Sequence, residues 1–331
     1  MNYGGTILGL RLPDRDGHVE DVVLGLSSPK CYCSDAYAAA DPYLGSIIGR
    51  YGNRIADGRF ELDGRTHQLT TNHGAHHLHG GASGFDKRFW SARPFEDGRA
   101  GIQYRYTSAA GEEGYPGRLT TTVTYRLRND DALVVNYEAQ TTAPTPVNLT
   151  QHTYFNLAGH DAPNVLDHRL TIAADHFTPV DSALIPTGEI RPVDGTPFDF
   201  RTSAPIGARI DADHPQLRHA QGYDHNFVLS RPDAPPAAPA LAAQAYDPHS
   251  GRELTVHTTE PGLQFYTGNS LSGRLTGKDE TVYNPHSGFC LETQHFPNSP
   301  NEPRFPSTIL RPGETYESTT IYAFDTRAQT A

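Results

Sequence analysis

Leu119-Thr-Thr-Thr-Val-Thr-Tyr-Arg-Leu127, then Arg128-Asn-Asp-Asp131, then Ala132-Leu-Val-Val-Asn-Tyr-Glu-Ala-Gln140 decide the fold class. Two runs rich in β-branched and aromatic residues flank a polar turn, the pattern of paired antiparallel strands. In the first run Thr120, Thr122, Thr124 and Arg126 fall on one face, and Leu119, Val123 and Tyr125 on the other. Strand side chains alternate in this way. A polar strand face of this kind needs a concave, solvated side to look onto.

Working outward, the same grammar repeats. Gly5–Leu12 and Val19–Leu26 read as a hairpin about the Asp14-Arg-Asp-Gly17 turn. Ile55–Leu69 is a second hairpin about Asp63-Gly64, and Ala92–Tyr106 a third about Asp97-Gly98. Val165–Ile172, Gly222–Leu229, Leu254–Asn269, Phe289–Gln294 and Thr315–Phe324 continue the strand pattern, and His176–Val193 is punctuated by prolines. Ala212–Ala220 is the best helix candidate and is short; Ser27–Asp41 reads as a loop with a helical turn. The Pro/Ala-rich Arg231–Leu241 segment is a surface excursion rather than a linker, because strand pattern resumes on both sides. Glycines 45, 49 and 52 within Tyr43–Arg54 signal close backbone approach. The expectation is an all-β chain, 1–331 as a single domain, built as a large antiparallel sandwich or barrel.

The bulk properties agree and exclude several functions. The 31 Gly and 26 Pro residues, spread along the chain, suit many turns and few long helices. A net charge of −11 argues against nucleic-acid and anionic-membrane partners. Three cysteines are no disulfide framework, and Cys31-x-Cys33 has no second pair with which to hold a metal. The Met1-Asn-Tyr-Gly-Gly5 start does not read as a signal peptide, so a cytoplasmic setting is expected.

Five stretches carry chemistry. In Asn148–His160, read as one strand, Thr150, His152, Tyr154 and Asn156 share a face, and Leu149, Gln151, Thr153, Phe155 and Leu157 share the other. The polar row suits the floor of a polyhydroxylated ligand site with a proton-shuttling imidazole at its centre, or equally a solvated sheet face. In Phe289–Gln294, Cys290, Glu292 and Gln294 share a face; Glu292 is either a paired structural carboxylate or a proton acceptor made more basic by burial. Thr70–Gly84 holds four histidines and four glycines. His77-x-His79 invites a metal reading, but glycines and small residues follow where a carboxylate ligand would be needed, and a tight loop delivering one imidazole fits better. Asn53-Arg54 offers a donor fork for neighbouring oxygens, or a surface ion pair. Asp224, in Tyr223-Asp-His-Asn226, accepts a sugar hydroxyl or caps a turn. No phosphate loop, nucleophile elbow or zincin motif is present.

Taken together, the chain resembles the galactose mutarotase, or aldose 1-epimerase, family over nearly its whole length. Seven motifs in order carry the likeness: Ile-Gly-Arg-Tyr-Gly-Asn-Arg-Ile at 48–55, Leu-His-Gly-Gly at 78–81, Gly-Phe-Asp-Lys-Arg-Phe-Trp at 84–90, Asn-Leu-Thr-Gln-His-Thr-Tyr-Phe-Asn-Leu at 148–157, Asp-His-Asn-Phe at 224–227, Pro-Gly-Leu-Gln-Phe-Tyr-Thr-Gly-Asn at 261–269 and Ser-Gly-Phe-Cys-Leu-Glu-Thr-Gln at 287–294. The resemblance implies the family's large β-sandwich (the mutarotase-like supersandwich) with a sugar-binding face. It implies His152 as acid and Glu292 as base, with Asn53, Arg54, His79, Asp224 and Gln264 as substrate contacts. It implies anomer interconversion of free aldohexoses, with neither cofactor nor metal, by a monomer or homodimer whose partner is a small sugar. Asp224 is expected to keep His152 protonated, and Tyr154 or Phe265 to stack on the sugar. A sugar-phosphate isomerase, a non-catalytic carbohydrate-binding module, and a tailoring isomerase or hydrolase on the same fold are the alternatives. Members of the resembled family usually carry a strand or two ahead of the segment at which this sequence starts, so either the start was assigned late or one sheet edge is missing, the latter a matter of stability more than of chemistry.

Overall fold

The structure, a computed structural model, describes residues 1–96, 99–230 and 238–328. The Asp97-Gly98 turn and most of the Pro/Ala excursion lie outside them. Strands dominate and the α-helices are short, Asp35–Ala40 and Pro215–Ala220. The first is capped by the Ser34 hydroxyl, which accepts from Tyr37 N–H; the second starts on a proline that needs no donor partner. No helix among the described residues is long and apolar enough to cross a membrane.

A nine-stranded antiparallel sheet contains the pair that opens the sequence reading. Leu119–Leu127 pairs with Ala132–Thr141 in register Val123 to Tyr137, as the alternation predicted. The order across it is Ala204–Pro205, Arg169–Ile172, Ala240–Tyr246, Arg252–Thr258, Tyr316–Thr326, Ala132–Thr141, Leu119–Leu127, Ala100–Ser108, Ser91–Glu96. A six-stranded sheet runs Tyr154–Phe155, Phe289–Gln294, Gly262–Tyr266, Asp224–Leu229, Ala174–Thr178, Arg191–Pro192. Leu119, Val123 and Val135 of the first sheet and Phe227, Leu263, Phe265, Phe289 and Leu291 of the second share one buried core, so the sheets pack face to face as a sandwich. Thr293 and Thr320 hydroxyls, 2.6 Å apart, bridge the layers.

The Leu119–Leu127 polar face has the hollow it calls for, about 670 Å³ and lined in part by Thr124 and Arg126, though none of the predicted site residues borders it. One expectation changes: Asn148–His160 is not one strand. Thr150–Gln151 pairs with Ile47–Ile48, while Tyr154–Phe155 pairs with Cys290 and Phe289, and the chain bends between them at His152. The two-residue period nonetheless persists on the inner side: Leu149, Phe155 and Leu157 join the core, and the buried Gln151 and Thr153 bond one another beside it, Gln151 also donating to Gly45 O and Tyr125 Oη. Asn156 leaves the supposed row and donates to Ala162 and Ser287 carbonyls.

Candidate active site

The site lies on the face of the six-stranded sheet turned away from the core. Alternation sends Phe289, Leu291 and Thr293 inward and leaves Cys290, Glu292 and Gln294 on the other side, as read from sequence. Antiparallel register then aligns Glu292, Gln264 and Asn226 across three strands. Polar side chains in a row on a buried sheet face are expensive without partners; of these three, Glu292 borders the cavity described below.

Two loops fold over this floor. One carries Asn53 and Arg54, the other His79, and Arg54–Ile55 pairs with His77–Leu78 to join them. Gly49 and Gly80 permit the contact: a Cβ on Gly80, whose φ is +88°, would lie 1.8 Å from Gly49 O. Asn53 N–H donates to His79 Nδ1 at 3.1 Å, and His79 N–H returns a bond to Asn53 O.

The remaining predicted residues form two groups, one about Asp224 and one about His152. Asp224 accepts from Arg54 Nη2 at 3.2 Å through one oxygen and from Gln264 Nε2 at 2.6 Å through the other. Asn53 Oδ1 accepts from Arg54 N–H at 2.9 Å. His152 Nε2 stands 3.6 Å from Glu292 Oε1, and its Nδ1 stands 3.6 Å from Cys290 Sγ. Glu292 Oε2 is buried with no hydrogen-bond partner among the described residues.

These groups line a cavity of about 390 Å³, within the ~300–1,000 Å³ range of small-molecule sites. His152, Glu292, Asn53, Arg54, His79 and Asp224 border it; Gln264 does not, and instead holds Asp224 from behind. Tyr154 is on the wall, whereas Phe265 is fully buried in the core. Tyr266 and Tyr43, missed in the sequence, are on the wall as well. Tyr266 was legible, since it is two residues from Gln264 and so shares its face.

Burial sets the protonation. It drives His152 down to about 4, outweighing the smaller upward pull of Asp224. The expectation that Asp224 keeps His152 protonated is thus reversed by desolvation. Burial, then the Asp224 charge, pushes the Glu292 carboxyl well above the ordinary range. Burial, then the His152 charge, holds His79 far below its usual value. Burial thus disfavours the charged form of both imidazoles and of the Glu292 carboxyl alike.

His79, His152 and Glu292 each place a ligand atom within 4.8 Å of the others, all three buried. His79 Nδ1 already accepts the Asn53 amide proton, so the neutral ring carries its own proton at Nε2. In that tautomer the ring is a hydrogen-bond donor to the cavity and not a metal ligand. His77, its neighbour in the metal reading, is tied to Thr70 O and Tyr115 Oη, each at 2.6 Å.

A family model described as aldose 1-epimerase matches residues 1–323. The chain belongs to the aldose 1-epimerase family. Among relatives of this family, a galactose mutarotase from Sus scrofa is 49% identical over 324 residues, covering 98% of this chain and 90% of that one. The Homo sapiens galactose mutarotase is 48% identical over the same shares, and the Escherichia coli K12 aldose 1-epimerase 41% identical over 98% and 90%. In structure, an aldose epimerase homologue from C. elegans superposes with a TM-score of 0.87 at 28% identity, covering 98% of this chain and 94% of that chain. A galactose 1-epimerase from Lactobacillus acidophilus gives 0.83 at 30% identity, over 98% and 90%.

Proposed function

We propose that the chain is an aldose 1-epimerase acting on free aldohexoses of the galactose and glucose type, with His152 and Glu292 as its proton-transferring pair. The observation that carries the reading is the buried, half-unpartnered Glu292 carboxyl 3.6 Å from His152 in a cavity of about 390 Å³.

The pair shares one proton, and the reaction needs only to move it. With a cyclic sugar bound, Glu292 takes the proton of the anomeric hydroxyl while His152 gives one to the ring oxygen. The C1–O5 bond breaks, the C1–O1 bond becomes a carbonyl, and the aldehyde rotates about C1–C2. Closure reverses both transfers on the other carbonyl face. Once the ring is open, Glu292 holds the proton and His152 is neutral, the pairing of uncharged forms toward which burial pushes both groups. The ionic state that the cyclic sugar meets has the same proton count, so the cycle neither takes up nor releases a proton. Arg54, beside Asp224, and the Nε2–H of His79 supply donors for sugar oxygens where water is excluded.

Polarimetry of freshly dissolved α-D-galactose or α-D-glucose tests the proposal. The expected result is relaxation accelerated in proportion to enzyme. Rotation drifting at the uncatalysed rate with every aldose tried would end it.

A further inference from the structure

The motif Gly-Phe-Asp-Lys-Arg-Phe-Trp at 84–90 contributes no residue to the proton-transferring pair or its donors. Lys87 from it is nonetheless placed beside the site. Its side chain is only 18% exposed, and its ammonium lies 2.8 Å from Asp41 Oδ1 and 2.9 Å from Asp86 Oδ2. The same ammonium stands 5.0 Å from the Tyr43 ring centroid, within cation–π reach.

What Lys87 grips is an unusual corner. Asp41 and Tyr43 both have left-handed backbone, φ +42° and +57°, with Pro42 between them. Asp41 is the left-handed cap that ends the Asp35–Ala40 helix, its N–H donating to Tyr37 O, but it also precedes proline, and Tyr43 is a bulky residue in a conformation that such side chains rarely adopt. Ala40, Asp41, Pro42 and Tyr43 all border the cavity. The Tyr43 ring meets His79 edge-on at 4.7 Å between centroids and lies 5.7 Å from His152.

We propose that Lys87 is a positioning residue for substrate: bonded to Asp41 and seated over Tyr43, it fixes the 41–43 corner as one wall of the cavity and holds the Tyr43 ring as the surface on which a hexose ring packs. This rests on the epimerase reading of the site. Lys87 does not border the cavity and acts only through Tyr43. A wall that touches the sugar's carbon skeleton contributes equally to ground state and transition state. Its loss therefore raises KM and leaves kcat nearly constant, whereas general misfolding lowers kcat and leaves KM alone.

The test is Lys87→Met, which keeps length and removes charge. We expect KM for α-D-galactose to rise about tenfold, the range of a lost partly buried cation–π contact, with kcat within about twofold. Calorimetric Kd for 1,5-anhydrogalactitol, which lacks the anomeric hydroxyl and cannot react, should weaken by the same factor. Asp41→Asn cuts the ion pair from the other end while keeping a residue that tolerates left-handed backbone; it should act in the same direction, and carries the test if Lys87→Met does not fold. Tyr43→Leu should raise KM at least as much, and the double variant Lys87→Met/Tyr43→Leu should be no worse than Tyr43→Leu alone. A fall in kcat at unchanged KM, or effects of the two substitutions that multiply, would overturn the proposal. A wild-type chain inactive on every aldose would sink the epimerase reading instead, and the calorimetric arm would still decide on Lys87.

Discussion

Glu292→Gln separates the chemistry of the site from its stability. The substitution keeps shape and removes the ability to accept a proton. General acid–base groups contribute about 10²- to 10⁴-fold, so kcat should fall by about 10³-fold while a hexose still binds. Stability should move the other way. Burial raises the folded-state pKa of Glu292 above its unfolded value of about 4.5. As pH rises above 4.5, the unfolded chain sheds this proton and the folded chain keeps it. The folded state is therefore progressively disfavoured until its own raised pKa is passed. Each unit of elevation is worth about 1.4 kcal/mol, and ~1 kcal/mol moves Tm by about 2 °C in a chain of this length. Glutamine has no such dependence. Glu292→Gln should therefore melt at least ~2 °C above wild type at pH 8 and match it at pH 4. Polarimetry supplies the rate and scanning calorimetry at the two pH values the stability. Turnover within about tenfold of wild type would refute the proton-acceptor role, being less than the smallest contribution such groups make. A Tm lowered at pH 8 would refute the claim that burial penalises the ionised carboxylate.

Asp224→Asn removes the charge that helps raise Glu292 and the partner of Arg54. Glu292 should then ionise at lower pH, read by carboxyl carbon NMR, and the unpaired buried guanidinium should cost about 3 kcal/mol in urea unfolding; an unmoved Glu292 titration would show that desolvation alone sets it. Acid should weaken the fold through its buried neutral histidines. His152 and His168 are held at about 4 and His225 at about 3, all by burial. The unfolded chain protonates these rings near 6.5 and the folded chain does not, so stability present above 6.5 drains away as pH falls through 4. Urea midpoints at pH 7 and 4.5 check this, and equal midpoints would contradict it.

The sheet pairings and the active-site strand at Phe289–Gln294 were legible because they follow the two-residue period over six or more residues, with turn residues at their ends. The motifs named polar residues that the fold gathers around one cavity, all but Gln264 on its wall. Their connection was not legible: that Asn53 N–H sets the tautomer of His79, and that Gln264 acts through Asp224, depend on contacts between segments far apart in sequence. Asn148–His160 misled on continuity and on Asn156, because the break in pairing at His152 leaves no trace in residue type and its flanks pair with different partners. The polar face of Leu119–Leu127 does look onto a hollow, but not that of the site. Alternation says that one side is wet, not which water it meets. Charge states were the least legible, since the burial that neutralises His152 comes from the whole fold and the charge on Asp224 was visible at once.

The most direct measurement is a crystal structure of Glu292→Gln with D-galactose bound. The account predicts the anomeric hydroxyl within hydrogen-bond distance of residue 292 and the ring oxygen within hydrogen-bond distance of His152 Nε2, with Arg54 and His79 on neighbouring oxygens. A sugar seated with C1 and O5 facing away from both side chains would contradict it.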